Sequence, residues 1–294
     1  MFFVVGSARS GTTLLRLMLN AHPEIAVPPE SRFIVELWSG AETVDRDRFL
    51  QALAGHKRFR VWDLPIEAVA NELDDTTARV RYADAIEGAY RAYAHVQGKT
   101  RFGDKTPRYV EHIDFLADLF PQARFVHLVR DGRNVALSYG GVPFGPKNVA
   151  KAADLWRRRV GAGIKSGRKL DQGRYLELRY EDLTAEPHAQ VRILCDFLGI
   201  VFDEGMLQYT ERARDAVLAR SAENNPHLLE GTKAGVREWQ REMPTRHVEI
   251  FEAVAGPELE QLGYELRYPN AGTAARVLAR LSRWGLPVAR LRKE

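Results

Sequence analysis

The 294-residue chain holds a single cysteine, Cys195. One thiol excludes an internal disulfide and any cysteine-based metal centre. Long hydrophobic runs are missing too: no apolar stretch approaches the ~18 residues that a membrane span requires. The apolar opening, Phe2–Val5, is too short for a signal-peptide core and runs straight into a small-residue turn. The expected compartment is therefore the cytoplasm. Nor is there a strong charge of one sign. The net charge is +4, but residues 271–294 alone carry +5, through Arg276, Arg280, Arg283, Arg290, Arg292 and Lys293 against Glu294. The body is left near neutral, which argues against a general nucleic-acid binder. Hydrophobic content of 45% and charged content of 28% are ordinary for a soluble globular chain. The length suits one large α/β domain or two small ones.

A further absence lies in the opening stretch, FFVVGSARSGTTLL (2–15). Phe2–Val5 reads as a short buried strand, Gly6 breaks it, and Leu14, Leu15, Leu17 and Met18 recur at helical spacing after a Ser-Ala-Arg-Ser-Gly-Thr-Thr turn. Strand, small-residue turn and helix are the context of a phosphate-cradling loop, where backbone N–H groups and a helix N-terminus face an anion. Against the pattern GxxxxGK[ST], Gly6, Gly11 and Thr13 fit. Thr12 stands where the lysine that reaches the β- and γ-phosphates belongs. Another cation, Arg9, lies inside the loop. The loop reads as an anion site not built for a magnesium triphosphate. The plain alternative is a Ser/Gly turn with a surface arginine.

The helix is expected to stop near Asn20–Ala21, ahead of His22-Pro23. Glu30 follows Pro28 and Pro29, whose fixed φ stiffens the backbone. It is a candidate general base or, equally, a cap of the next helix. Residues 32–97 read as a helical insertion, with Ala85, Ile86, Ala89, Tyr90 and Tyr93 on one side of a helix over 83–96. TRFGDKTP (100–107) reads as a short strand. Lys105 at its end either faces the place where open α/β sheets bind ligands or is a solvated surface lysine.

ARFVHLVRDGRNVALS (123–138) repeats the opening grammar: a buried strand over 125–129, a turn over Arg130–Arg133 and a helix from Asn134. The guanidinium of Arg130 suits a phosphate, and Ser138 sits eight residues on. Two phosphate sites on one sheet imply a ligand with two separated phosphates. His127 reads as a core histidine. GGVPFGP (140–146) reads as a loop beside the substrate entrance. Beyond it come a basic helix over 148–170, a strand over 173–178 and its exit RYEDL (179–183). A helix over 191–198 then buries Cys195 and is closed by Gly199. GTKAGVREW (231–239) is either a basic loop over a nucleotide phosphate or an ordinary surface loop. A helix is expected over 247–262. In the tail, Val277, Leu278, Leu281 and Trp284 share one face among arginines. That pattern fits peripheral membrane contact, a partner helix or a frayed terminus.

Over most of residues 2–270 these motifs resemble the PAPS-dependent sulfotransferases (PAPS is 3′-phosphoadenosine-5′-phosphosulfate). RSGTT at 9–13 is similar to the family's 5′-phosphosulfate loop and implies Arg9, Ser10, Gly11, Thr12 and Thr13 as contacts. VRDGRNVALS at 129–138 is similar to its 3′-phosphate motif, which implies Arg130 and Ser138. RYEDL resembles the strand exit whose Tyr180 meets the adenine region. The run from RSGTT through PPESR resembles the branch of tyrosylprotein sulfotransferases and many bacterial enzymes, which puts Glu30 at the catalytic-base position. Lys105 falls where the family keeps a lysine that steadies the leaving phosphate. Cytosolic small-molecule members carry a catalytic His two residues later, where this chain has Pro107. In their closing loop, RKGxxGxW, Lys233 and Trp239 align and Arg237 adds a cation, while the flanking Arg and first Gly do not match.

The resemblance implies a single P-loop-type α/β domain over 1–270, with a central mainly parallel sheet flanked by helices, the insertion at 32–97 and a basic amphipathic tail at 271–294. It implies in-line transfer of the sulfuryl group of PAPS to a hydroxyl, phenol or amine of a small molecule, glycan, lipid or peptide, releasing PAP. Glu30 would be the base, Arg9 and Lys105 would stabilise charge, and no metal would be needed. The acceptor is expected to be a small or amphiphilic molecule rather than nucleic acid, with the tail as a membrane-peripheral element. The rival readings are a P-loop kinase or NTPase with an altered loop, and a non-catalytic nucleotide-binding protein recruited to membranes.

Overall fold

A computed structural model describes residues 1–74, 76–212, 238–283 and 291 of the chain. Among them are seven strands: β1 (Phe2–Gly6), β2 (Ile25–Ala26), β3 (Thr43–Asp45), β4 (Arg79–Arg81), β5 (Arg101–Lys105), β6 (Arg124–Val129) and β7 (Tyr175–Arg179). Five form one sheet in the order β2-β5-β1-β6-β7, and every pairing in it is parallel. β1 is central and buried throughout. A parallel strand covered on both faces has no solvent side, so Phe2–Val5 shows no polar alternation. Phe2 and Val4 pack with the Thr12–Ala21 and Pro187–Leu198 helices. Phe3 and Val5 pack on the opposite face with Phe125, Tyr109 and the Tyr82–Val96 helix.

The chain leaves β1 for the β2/β5 side and crosses to the other side at β6. Strand order thus reverses between β1 and β6, the place where parallel sheets open a crevice at their carboxyl ends. Register aligns Val4 with Lys105 and Gly6 with Leu128. Ser7, Thr106 and Arg130 therefore emerge from one edge.

The insertion is mostly helical but also contains an antiparallel pair, β3 with β4, which the sequence reading missed. Each strand has three residues, and only Val44 and Val80 turn inward, too few to show a period of two. Aromatic rings fix this region: Phe33 lies 5.1 Å from Trp62 and Trp62 lies 4.9 Å from Tyr90, centroid to centroid. Two further expectations change. The segment Arg130–Arg133 is not a free turn, because the Gly132–Gly140 helix begins inside it. Asp131 caps that helix by accepting the Arg133 N–H. Gly132 also lies flush against Trp156 and Phe251, where a Cβ would approach within 2.5 Å. In the Thr273–Arg283 helix the buried face is Ala275 and Ala279, continued by Ala271 just ahead of it, with Leu278 partly covered, whereas Val277 is 50% exposed. The small alanines let this helix lie on the Val149–Gly167 and Thr245–Gln261 helices. Trp284 lies outside the described residues. Among those described, no helix is long and apolar enough to cross a membrane.

Candidate active site

The loop after β1 is drawn tight by the Ser10 N–H donating to the Ser7 carbonyl at 3.2 Å. Arg9 takes φ +75 and Gly11 φ +89, both left-handed. For a non-glycine residue that conformation costs on the order of 1 kcal/mol, so Arg9 spends local strain on its position. Gly11 caps the Thr12–Ala21 helix without any side-chain bond to its first N–H groups. Those donors and the positive end of the helix dipole face the loop. The Arg9 Nε donates to Ser138 Oγ at 2.9 Å. Arg130 donates to the Arg9 carbonyl at 3.4 Å and lies over the Tyr180 ring, 4.3 Å from its centroid. The structure thus brings Arg9, Ser138, Arg130 and Tyr180 into one constellation and links the two anion loops directly. Ser10 Oγ and Arg130 Nε are buried and have no partner among the described residues. Orphaned donors of this kind fit a bound anion.

Behind Arg130 stands a charged cluster that the sequence reading did not single out. The Arg133 guanidinium grips both oxygens of Asp131, at 3.0 and 2.8 Å, and donates to Glu252 and to the Glu265 carbonyl. It also stacks 3.7 Å from the Trp239 ring centroid, and Trp239 Nε1 donates to Asp131 at 3.0 Å. Glu181 accepts the Asp131 N–H and the Tyr264 hydroxyl. The Trp156 indole holds the Arg130 carbonyl at 3.0 Å. The signal in the sequence was Asp131-Gly-Arg133, an acid and a base two apart at a helix start. Their partners Glu252 and Trp239 lie more than a hundred residues away. His127 is a core residue, its Nδ1 2.6 Å from the Tyr175 hydroxyl.

On the β5 side, Lys105 Nζ donates to Glu30 Oε1 at 2.9 Å, and Lys105 is 4% exposed, so it is not a surface lysine. Glu30 does not cap the following helix; Arg32 occupies that position, with φ +55. The Glu30 backbone is fixed on both sides. Asn20 and Arg16 hold Val27, the Trp62 indole donates to the Pro29 carbonyl at 2.8 Å, and the Ser31 N–H donates to Thr106 Oγ1 at 3.1 Å. Burial pushes the Glu30 carboxyl up, but Lys105, with Arg58 and Arg32, outweighs it and holds the group below the usual carboxylate range. Glu30 is therefore ionised at neutral pH. Lys233 and Arg237 lie outside the described residues.

A sequence profile described as "Sulfotransferase family" matches residues 2–204, and one described as "Sulfotransferase domain" matches residues 153–263. Protein-tyrosine sulfotransferase A of Caenorhabditis elegans is 24% identical over 276 residues, covering 92% of this chain and 67% of that protein. Nodulation protein NoeE of Sinorhizobium fredii is 27% identical over 300 residues, covering 92% and 68%. Among solved structures, the sulfotransferase domain of the Synechococcus PCC 7002 olefin synthase aligns with a TM-score of 0.64 at 26% identity, over 90% of this chain and 95% of that one. The sulfotransferase domain from the curacin pathway aligns at 0.61 and 20% identity, over 90% and 98%. The kinase-like and non-catalytic readings fall away. The chain belongs to the sulfotransferase family, enzymes that transfer the sulfuryl group of PAPS to an acceptor and release PAP.

Proposed function

We propose that Glu30 is the general base that takes the acceptor's proton and that Lys105 and Arg9 stabilise the charge that develops during transfer. The co-substrate would be held by Ser10, Gly11, Thr12 and Thr13 with Arg9 at one phosphate, and by Arg130 and Ser138 at the other. Tyr180 would face the adenine, and Lys233 and Arg237 would add cationic contacts. This donor set fits PAPS: it consists of backbone N–H groups, hydroxyls and guanidiniums around two separated anion positions, with two buried donors left over for the ligand. When bound, PAPS supplies the sulfuryl group and a phosphate leaving group.

The observation that carries the reading is the 2.9 Å Lys105–Glu30 pair. A carboxylate held ionised by an ammonium is ready to accept a proton but is a weak base. As Lys105 turns toward negative charge developing beside it, its hold on Glu30 loosens and the carboxylate becomes more basic. Positioning and fixed charge supply the rest, as in phosphoryl transfer. The acceptor class is a hydroxyl, phenol or amine, and the tyrosine-modifying relatives favour a phenol as first probe. We infer a cytoplasmic location, with the basic 271–294 tail as a membrane-peripheral element.

Two measurements test this. Calorimetric titration is expected to show PAP binding without metal and in preference to Mg-ATP. Arg130→Ala should weaken it by about 10–100-fold, the worth of a charged hydrogen bond lost. With labelled PAPS and 4-nitrophenol or a tyrosine peptide as acceptor, Glu30→Gln should bind PAP normally and turn over about 10²–10⁴-fold more slowly. Normal turnover by Glu30→Gln would remove Glu30 from the mechanism.

A further inference from the structure

Immediately behind Glu30 a series of hydrogen bonds runs one way into a buried acid. Asp104, the next-to-last residue of β5, is 0% exposed. The Tyr90 and Thr106 hydroxyls both donate to its Oδ2, at 2.7 and 3.2 Å, and its Oδ1 has no partner among the described residues. An ionised carboxylate only accepts, so the direction of both bonds is set. Having given its one proton to Asp104, Thr106 turns its lone pairs to Ser31. It accepts the Ser31 N–H at 3.1 Å, and Ser31 Oγ lies 3.4 Å away. From the other side, the Tyr109 hydroxyl accepts the Ile34 N–H at 3.2 Å and lies 2.9 Å from Ser31 Oγ.

The Ser31 N–H belongs to the peptide that joins Glu30 to Ser31. Asp104, Lys105 and Thr106 are extended, so their side chains alternate between the two sides of the chain. One tripeptide therefore grips Glu30 twice: Lys105 holds its carboxylate and Thr106 its peptide. We propose that Asp104 is a positioning residue which, through the Thr106 hydroxyl, fixes the Glu30–Ser31 peptide so that the Glu30 carboxylate faces Lys105. The inference rests on Glu30 being the base.

The groups that face Asp104 are Tyr90 from the Tyr82–Val96 helix, Tyr109 from the turn after β5, Ser31, Thr106, Lys105, and Arg16 of the first helix. Burial pushes the Asp104 carboxyl up to about 6, against the pull of Tyr90, Ser31, Thr106 and Lys105. Protonation would turn Asp104 into a donor and free Thr106 to reverse. The Ser31 amide is then a direct reporter of the relay.

The test is an NMR titration of the full chain, with selectively labelled Glu carboxyl carbons and Ser amide nitrogens, in wild type, Thr106→Val and Thr106→Ser. Valine matches threonine in volume and lacks the hydroxyl; serine keeps the hydroxyl. In wild type and Thr106→Ser, the Ser31 amide is expected to step with a midpoint near 6, and Glu30 to titrate below the usual range. In Thr106→Val the Ser31 step disappears and Glu30 moves up toward an ordinary carboxyl, with PAP affinity unchanged to within about twofold. A flat Ser31 amide in wild type, an unmoved Glu30 in Thr106→Val, or no rescue by serine overturns the proposal. If Thr106→Val fails to fold, the wild-type and Thr106→Ser titrations decide alone. Glu30→Gln turnover separates the two readings: normal turnover removes the base role and leaves the Ser31 coupling standing, whereas an inactive Glu30→Gln beside a flat Ser31 removes only the relay.

Discussion

Gly11→Ala tests the link between the loop after β1 and the Arg130 site. Gly11 has φ +89, and a Cβ there would meet Tyr180 Cδ2 at 2.3 Å and Cε2 at 2.5 Å. Carbon atoms in contact need at least ~3.5 Å, so the half-buried ring must swing aside by about 1 Å. Two costs follow, on different observables. The left-handed alanine strains the folded state by about 1 kcal/mol, read as a melting temperature about 1.5–2 °C lower for a chain of this size. Displacing the ring removes the platform under Arg130, now 4.3 Å away, and costs about 1 kcal/mol of cation–π energy. Realigning the backbone donors at the helix start adds about 1 kcal/mol more. The sum weakens PAP binding about 30-fold. Calorimetry with PAP and a thermal melt read the two separately. In Gly11→Ala/Tyr180→Ala the clash is gone, so the melting temperature should keep only the strain deficit. The affinity should stay low and fail to add across the pair. PAP affinity within about twofold of wild type in Gly11→Ala would refute the coupling of ring, loop and guanidinium.

Arg133→Met leaves Asp131 and Glu252 buried without their cation; an unfolding curve is expected to show a loss of about 3–5 kcal/mol, with PAP affinity falling as the Arg130 turn loosens. Asp104→Asn should become more stable relative to wild type as pH rises. The Asp104 carboxyl is raised to about 6 in the folded chain, so its ionisation costs about 3 kcal/mol above that pH and nothing below the unfolded value near 3.8. Denaturation at pH 5 and pH 8 checks the sign, and a gap between the two proteins that shrinks toward pH 8 contradicts it. His127 is depressed to about 3 by burial, so the stability it contributes is full above about 6.5 and falls as pH drops toward 3. His127→Phe should flatten that acid limb in chemical denaturation.

What the sequence made legible was whatever depends on neighbours in the chain. The strand–turn–helix at Phe2–Ala21 could be read because apolar run, small-residue turn and helical spacing lie within twenty residues. Arg9, Arg130 and Ser138 were named from their loops, but their mutual contact was not, because it joins positions 129 apart. Lys105 was ambiguous for a similar reason: only its register beside Val4 and its pairing with Glu30 distinguish it from a solvated lysine. The Asp131–Arg133–Glu252–Trp239 cluster was invisible as a cluster, since every contact in it except Asp131–Arg133 spans more than a hundred residues. Asp104 looked like one more strand-end carboxylate until burial and the Tyr90 and Thr106 hydroxyls gave it surroundings. The alanine face of Thr273–Arg283 was passed over in favour of larger side chains, although close helix packing selects small ones.

The two buried ionic clusters have a common logic. Apolar side chains of equal volume would be cheaper at both places, because desolvating a carboxylate or guanidinium is repaid only by well-aligned partners. The charged groups at their centres, Asp104, Asp131, Arg133 and Glu252, are all buried. Each cluster stands one residue or so behind a group at the open edge of the sheet: Asp131 and Arg133 behind Arg130, and Asp104 behind Lys105 and Glu30. Hydrogen bonds to an ion have fixed donors and fixed directions, whereas packed methyl groups leave a turn free to shift by tenths of an ångström. In a reaction that works by positioning and fixed charge, such a shift is costly. The folding cost of about 3 kcal/mol at Asp104 is thus set against precision at Glu30. On this reasoning, Asp104→Asn, stabilised at neutral pH, is expected to lose turnover while keeping PAP affinity, a separation that a purely structural carboxylate would not produce.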